Sequence, residues 1–138
     1  MSLLAPRSQL PVVTVTLIAL SVGVSLVSLI GDAHSALLSF LIAEPGHAPF
    51  ADVLSGEVWR LVTPIFVHFG FLHLLFNMMW LWDLGRAIER IKGAAFLGLF
   101  VAATGIASNV AQYFITQSPL FGGMSGVVYA LLGYVWIQ

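Results

Sequence analysis

The sequence predicts an all-α protein, a multi-pass bundle of transmembrane helices forming one domain. Of its 138 residues, 59% are hydrophobic and 8% are charged, whereas about a quarter of residues are charged in soluble domains. Residues 93–138 contain no Asp, Glu, Lys or Arg. A soluble fold of this size could not keep such a segment from water. The core is therefore expected to be helix packed on helix inside a lipid bilayer.

Four stretches predict helices: 11–30, 71–89, 94–116 and 125–138. At a rise of about 1.5 Å per residue, the first stretch spans the roughly 30 Å hydrocarbon layer. It is also longer than the apolar region of a cleaved signal peptide, the competing interpretation. Residues 31–70, which contain four acids together with prolines and glycines, predict a long outer loop.

The cations of the sequence orient these helices. Arg86, Arg90 and Lys92 lie at the junction of the second and third predicted helices, and Arg7 precedes the first. Because cations flanking transmembrane helices concentrate in the cytoplasm, we expect a cytoplasmic N-terminus and an outward-facing turn at 117–124. The second and fourth helices would then both begin at the outer face.

The fourth predicted helix is too short to cross the membrane before Gln138, since residues 125–138 cover only about 21 Å. A terminal carboxylate within hydrocarbon costs several kcal/mol. We therefore expect the natural polypeptide to continue beyond Gln138, with residues 1–138 forming one incomplete membrane domain.

Composition excludes several functions. With five cations, six anions and no large basic cluster, nucleic acid is not an expected partner. The absence of cysteine excludes disulfides, thiolate zinc sites and a cysteine nucleophile. His68 and His73 diverge by about 140° on a helix, a poor arrangement for binding a metal. The sequence predicts no metal site and no cofactor.

Three polar residues are candidates for chemistry. His73 and Asn77, four residues apart, share one face near the outer end of the second helix. Ser125 begins the fourth helix at a similar depth, flanked by Gly123 and Gly126. The first N–H groups of a helix lack intrahelical partners and carry partial positive charge. They could stabilise the oxyanion that forms when a hydroxyl attacks a carbonyl.

Structural alternatives remain open for each of these residues. A serine at a helix start commonly serves as an N-cap. Glycines such as Gly126 can serve close helix packing in lipid, and amides such as Asn77, Asn109 and Gln112 can form interhelical hydrogen bonds.

Three segments, taken together and in order, resemble the rhomboid family of intramembrane serine proteases. Residues 56–64 (GEVWRLVTP) are similar to the tryptophan-arginine signature of the family's first loop. Residues 68–77 (HFGFLHLLFN), continuing through 85–89, resemble its second helix. Residues 121–134 (FGGMSGVVYALLGY) resemble its serine-bearing fourth helix. The likeness to bacterial members with a six-helix core implies a partial rhomboid-like fold, with four of six helices and the fourth incomplete.

The resemblance implies roles for individual residues. Ser125 would be the nucleophile of a Ser-His dyad without an aspartate, and His73 and Asn77 would help to form the oxyanion hole. Trp59 and Arg60 would anchor the outer loop at the membrane surface, where a guanidinium can reach lipid headgroups and loop carbonyls.

The resemblance also implies how the site is completed, and where it is incomplete. Backbone N–H groups around Met124 and Ser125 would complete the oxyanion hole, with Gly123 and Gly126 beside it. Tyr129, one turn after the serine, would pack against the catalytic imidazole. In the family that imidazole is the general base and lies on the sixth helix, but no histidine follows His73 here. Without a base a serine hydroxyl is a weak nucleophile, so the 138-residue chain alone is predicted to be inactive.

For the intact protein we expect an intramembrane serine endopeptidase that cleaves transmembrane substrates near the outer membrane face. Its partners would be membrane lipids and transmembrane protein substrates, and its location the bacterial inner membrane. Two alternatives stay open: a catalytically inactive relative that binds transmembrane helices, and a small transporter or scaffold subunit.

Overall fold

The computed structural model of the protein describes residues 10–29 and 34–138. Within these residues every regular element is helical, which confirms the predicted all-α class. Arg7 and residues 31–33, used above to orient the chain and to bound the outer loop, lie outside the described residues. The elements are α1 (Val12–Val27), α2 (His34–Leu38), α3 (Ala51–Leu54), 3-10 turns at Val58–Leu61 and Thr63–Phe66, α4 (Phe71–Trp80), a π-helical turn (Leu81–Gly85), α5 (Arg86–Lys92), α6 (Ala94–Thr116) and α7 (Ser125–Trp136).

Among the described helices, α6 alone is both long enough and apolar enough to cross a membrane by length and composition. It has 23 residues, while α1 and α7 are apolar but shorter. The stretch predicted as a helix over 11–30 is helical over Val12–Val27 and continues as a turn at residues 28 and 29, while residue 30 lies outside the described residues. Near this end the hydroxyls of Ser25 and Ser28 donate to backbone carbonyls of the preceding turn, a bonding pattern that competes with helix continuation.

The predicted helix 71–89 is a continuous helical segment that extends to Lys92. It begins after Gly70 and ends at Gly93, where φ is +108° and +92°, values that L side chains rarely adopt. Its π-helical turn ends at Gly85, where an added Cβ would lie 3.0 Å from Oγ1 of Thr14. The missing side chain therefore lets α1 pack closely against this turn.

Glu89 joins α1 to α5. Its carboxylate accepts hydrogen bonds from the backbone N–H of Val13 and of Thr14, each at 2.8 Å, and from the Thr14 hydroxyl at 2.7 Å. These N–H groups belong to the first turn of α1, which has no intrahelical acceptor for them. The buried carboxylate thus accepts the free N–H groups at the start of α1 and stabilises the partial positive charge of this helix end. The start of α1 and the end of α5 consequently lie together.

The opposite end of the bundle carries the outer loop. Near the end of α6, the Asn109 side chain is buried and donates a 2.9 Å hydrogen bond to the Leu61 carbonyl. One turn later, the Tyr113 ring meets Phe50 edge to face, with ring centroids 5.2 Å apart. The amide of Asn109 therefore ties a helix to the loop, while Gln112 is exposed.

Arg60 organises the outer loop from inside it, since its side chain is 1% exposed. The guanidinium donates to the carbonyls of Leu38 and Leu41 at 2.7 and 3.0 Å, and pairs with Glu44 and Glu57. Loop carbonyls are one of the two kinds of partner that the resemblance implies for Arg60, whereas the buried guanidinium does not reach the surface where lipid headgroups would lie. Four of the five N–H donors of this planar group bond to partners within the loop.

A second contact closes the same loop. Nδ1 of His47 lies 2.7 Å from Oδ1 of Asp52, and Oδ2 of Asp52 accepts from the Glu44 backbone N–H at 2.8 Å. The hydrogen bond to Asp52 raises the pKa of His47. The same network, led by the backbone hydrogen bond from Glu44, lowers the pKa of Asp52.

The buried position of Arg60 yields a stability prediction. Arg60→Met leaves the Leu38 and Leu41 carbonyls without donors, and we expect a loss on the order of 3 kcal/mol in the free energy of unfolding. The matched control is Arg86→Met. Arg86 is partly exposed, pairs with Asp83 at 3.1 Å and lies over the Trp82 ring, so its loss should cost at most about 1 kcal/mol. Equal losses in reversible unfolding in detergent would contradict the role of Arg60.

Candidate functional site

The turn before α7 is bound to the segment that precedes α4. The backbone N–H of Gly123 donates to the Pro64 carbonyl at 2.9 Å. The N–H of Met124, the next residue, donates to Nε2 of His68 at 3.4 Å. Both hydrogen bonds join residues more than fifty positions apart in sequence, so they fix the start of α7 against the start of α4.

Glycines allow this close approach. An added Cβ on Gly122 would lie 2.5 Å from the Val67 carbonyl oxygen, and one on Gly123 would lie 2.5 and 2.6 Å from Cε1 and Nε2 of His73. Gly123 also has φ of +110°, a conformation that favours glycine. The His73 ring therefore packs directly on the backbone of the turn that leads into Ser125.

The three candidate residues line one cavity of about 460 Å³ between α4 and α7. His73 and Asn77 come from one wall and Ser125 from the other. The rest of the lining is apolar or aromatic and comes from the same faces of the two helices. The full lining is Leu72, His73, Phe76, Asn77, Trp80, Ser125, Val128, Tyr129 and Leu132.

Ser125 is the first helical residue of α7, and Met124 occupies the N-cap position. No side chain caps this helix, so the alternative in which Ser125 is a capping residue is wrong. Within the described part of the chain its hydroxyl has no hydrogen-bond partner. Asn77 is buried, and its Nδ2 donates to the His73 carbonyl at 2.8 Å. The second N–H of the same amide is left for another acceptor.

The backbone donors differ from those expected. The resemblance assigns the oxyanion hole to backbone N–H groups around Met124 and Ser125, but the Gly123 and Met124 N–H groups already have acceptors, Pro64 and His68. The first helical hydrogen bond of α7 is from Val128 to the Met124 carbonyl. The Ser125 N–H, in contrast, has no acceptor among the residues that the structure describes.

The other predicted site residues have different positions. An added Cβ on Gly126 would meet the Ser108 side chain at 2.5 Å, so this glycine allows α7 to pack on α6. Tyr129 lines the cavity but is 73% exposed. Trp59 is half exposed and donates from its indole to the Ser39 carbonyl at 3.3 Å. Neither Trp59 nor Arg60 lines the cavity.

Sequence reasoning missed the apolar lining and His68. The apolar positions of α4 recur every fourth residue, at Leu72, Phe76 and Trp80, and this helical period would have predicted their shared face. No comparable signal exists for His68, because its partner Met124 is distant in sequence and bonds through the backbone.

The sequence of this chain matches a family of known proteins. The family model described as Rhomboid domain matches residues 55–138. Over 128 residues the chain is 41% identical to the Rhomboid protease GlpG of Salmonella paratyphi A and to that of Salmonella typhi, covering 93% of this chain and 44% of each relative. Over 90 residues it is 47% identical to the Rhomboid protease GlpG of Salmonella choleraesuis, covering 65% of this chain and 32% of that protein.

Each of these relatives carries the name of a rhomboid protease. The chain belongs to the rhomboid family, a family of intramembrane serine proteases. It spans less than half the length of these curated bacterial relatives.

Contact between Gly123 and His73 yields a second prediction. Gly123→Ala forces a strained φ, which costs about 1–3 kcal/mol, and drives the new methyl group into the imidazole. Gly98→Ala is the matched control, because no atom lies within 4 Å of its added Cβ. Thermal unfolding in detergent should show a lower midpoint for Gly123→Ala and no loss for Gly98→Ala. Indistinguishable midpoints would show that the ring does not pack on this backbone.

Proposed function

We propose that the complete gene product is an intramembrane serine endopeptidase in which Ser125 is the nucleophile. The observation that carries the proposal is the shared cavity. A hydroxyl without a partner at a helix N-terminus, an imidazole and a carboxamide all line it. Membership of a family of proteases supports the same chemistry. Polar side chains within the bilayer cost free energy unless they are paired or have a function. In the proposed reaction, all three polar side chains of this cavity have a function.

In the proposed reaction, Ser125 Oγ attacks the carbonyl carbon of the scissile peptide bond while its proton passes to a general base. The carbonyl oxygen becomes an oxyanion, and N–H donors of His73, of Asn77 and of the Ser125 backbone would stabilise it. Collapse of this intermediate expels the amine product, which takes up the proton, and leaves an acyl group on Ser125. A water molecule then attacks the ester and releases the second product.

The general base for Ser125 is expected to be a histidine, but each histidine of this chain has another place or partner. His68 has both ring nitrogens engaged, by the Phe66 carbonyl and the Met124 N–H. His34 begins α2 in the outer loop, and His47 of the same loop is bonded to Asp52. His73 lines the cavity, but the resemblance assigns it to the oxyanion hole and not to the base. We therefore propose that the second member of a Ser-His dyad lies on a part of the complete protein outside residues 1–138, and that the 138-residue chain alone does not hydrolyse peptides.

The proposed placement in the membrane rests on which helix ends lie together. The start of α1 meets Glu89 near the end of α5, at the end that carries Arg90 and Lys92. The starts of α4 and α7 meet at the other end, with the outer loop. We propose that α1, the segment 71–92, α6 and α7 cross or enter the bilayer in alternating directions. The N-terminus would be cytoplasmic, the cavity would lie near the outer face of the bacterial inner membrane, and transmembrane substrates would enter from the lipid.

Labelling with a fluorophosphonate tests the proposal directly. The reagent should modify Ser125 in the complete gene product, and Ser125→Ala should abolish both labelling and cleavage of a transmembrane substrate. Asn77→Ala removes one oxyanion donor and should lower the cleavage rate about 100–1,000-fold. Ser55→Ala is the matched control, since Ser55 is exposed and its hydroxyl bonds to the Asp52 carbonyl outside the cavity.

Two results would count against the proposal. A folded complete protein that is not labelled, and does not cleave, would favour an inactive relative that binds transmembrane helices. Cleavage by the purified 138-residue chain, lost on Ser125→Ala, would show that the proposed need for an external base is wrong.

A further inference from the structure

His68 is a buried titratable residue to which the proposed reaction assigns no task. It is 6% exposed and lies between the turn at Thr63–Phe66 and α4, outside the membrane-spanning helices and outside the cavity lining. Its ring nevertheless touches both halves of the candidate site. Nε2 accepts the Met124 N–H at 3.4 Å, and the ring meets His73 edge to face, with centroids 5.1 Å apart.

The two ring nitrogens of His68 have opposite partners, and this defines its protonation state. Nδ1 lies 3.2 Å from the Phe66 carbonyl, which can only accept, so Nδ1 must carry a hydrogen. Nε2 faces the Met124 N–H, which can only donate, so Nε2 must be bare. The hydrogen-bond network therefore assigns the neutral Nδ1–H tautomer. Burial favours the same form, because it lowers the pKa of His68 to about 4.

The contacts of His68 lie immediately beside the reacting groups. Met124 directly precedes Ser125 and is the N-cap residue of α7, so a hydrogen bond to its N–H lies one residue from the nucleophile. The His73 ring is held between the His68 ring and the Gly123 backbone. A change in the His68 ring would therefore move the nucleophile and an oxyanion donor relative to each other.

We propose that His68 is a positioning residue, which in its neutral Nδ1–H tautomer holds Ser125 and His73 in register without touching substrate. This inference rests on the proposed function of those two residues. It predicts that the acceptor at Nε2 matters more for the reaction than the donor at Nδ1, because only the acceptor reaches the turn before Ser125.

Two near-isosteric variants separate these features. In His68→Gln the side-chain carbonyl can replace the Nε2 acceptor, while in His68→Asn the amide N–H₂ can replace the Nδ1 donor. With the complete gene product, we expect His68→Gln to retain most of the rate of Ser125 phosphonylation. We expect His68→Asn to lose about 100-fold, as a misplacement of roughly 1 Å does. The loss should fall on kcat with KM for a transmembrane substrate unchanged, because the cavity lining is intact.

Controls distinguish positioning from general stability. His47→Gln and His47→Asn change an exposed histidine in the outer loop and should both keep the wild-type rate. Thermal midpoints are measured for all four variants. Rates that follow the midpoints alone, or equal rates for His68→Gln and His68→Asn, would overturn the proposal.

A spectroscopic measurement tests the tautomer independently of activity. Nitrogen-15 NMR of histidine-labelled protein should show His68 as neutral Nδ1–H from pH 5 to 8, while His47 titrates in the same samples. An Nε2–H tautomer or an imidazolium at pH 7 would overturn the proposal whatever the enzyme does. Labelling that does not require Ser125 would instead refute the proposed function and leave the tautomer assignment standing.

Discussion

The candidate site depends on the attachment of the turn at 122–124 to the segment that precedes α4. Ser125 and His73 lie far apart in sequence and come from different helices, so neither helix alone brings them together. Two backbone N–H groups of the turn are held by the Pro64 carbonyl and the His68 ring. Because Gly122 and Gly123 pack against Val67 and His73 without room for side chains of their own, the position of the turn is set by contact as well as by hydrogen bonds.

The same principle recurs at both ends of the bundle. Buried polar side chains bond to backbone groups of a different segment: Glu89 to the first turn of α1, Asn109 to the Leu61 carbonyl, and Arg60 to the carbonyls of the outer loop. Unpaired polar groups are costly in a low-dielectric interior, so each of these contacts favours one arrangement of the helices over others. Apolar contacts bury surface between the helices, and these polar contacts fix which parts of neighbouring segments lie against each other.

Local signals predicted much of this structure. The glycine at 93 marks the break before α6, whose predicted bounds 94–116 are those observed, and the spacing of His73 and Asn77 places them on one face of a helix. What the sequence did not reveal depends on distant backbone partners. The burial of Arg60 is set by carbonyls about twenty residues earlier. The hydrogen bond at Nε2 of His68 comes from the Met124 N–H, which follows α4, α5 and α6 in the chain. Such long-range contacts leave no periodic pattern in the sequence from which they could be predicted.

The most direct test of the central claim is a distance across the cavity. One Cα hydrogen of Gly123 points at the His73 ring, since a Cβ in its place would lie 2.5 Å from Cε1. Nuclear Overhauser spectroscopy on the protein in detergent micelles should therefore show a strong cross-peak between Hε1 of His73 and an Hα of Gly123. Its absence, with cross-peaks inside α4 and α7 present, would mean that the two helix starts do not meet and that the account of the site is wrong.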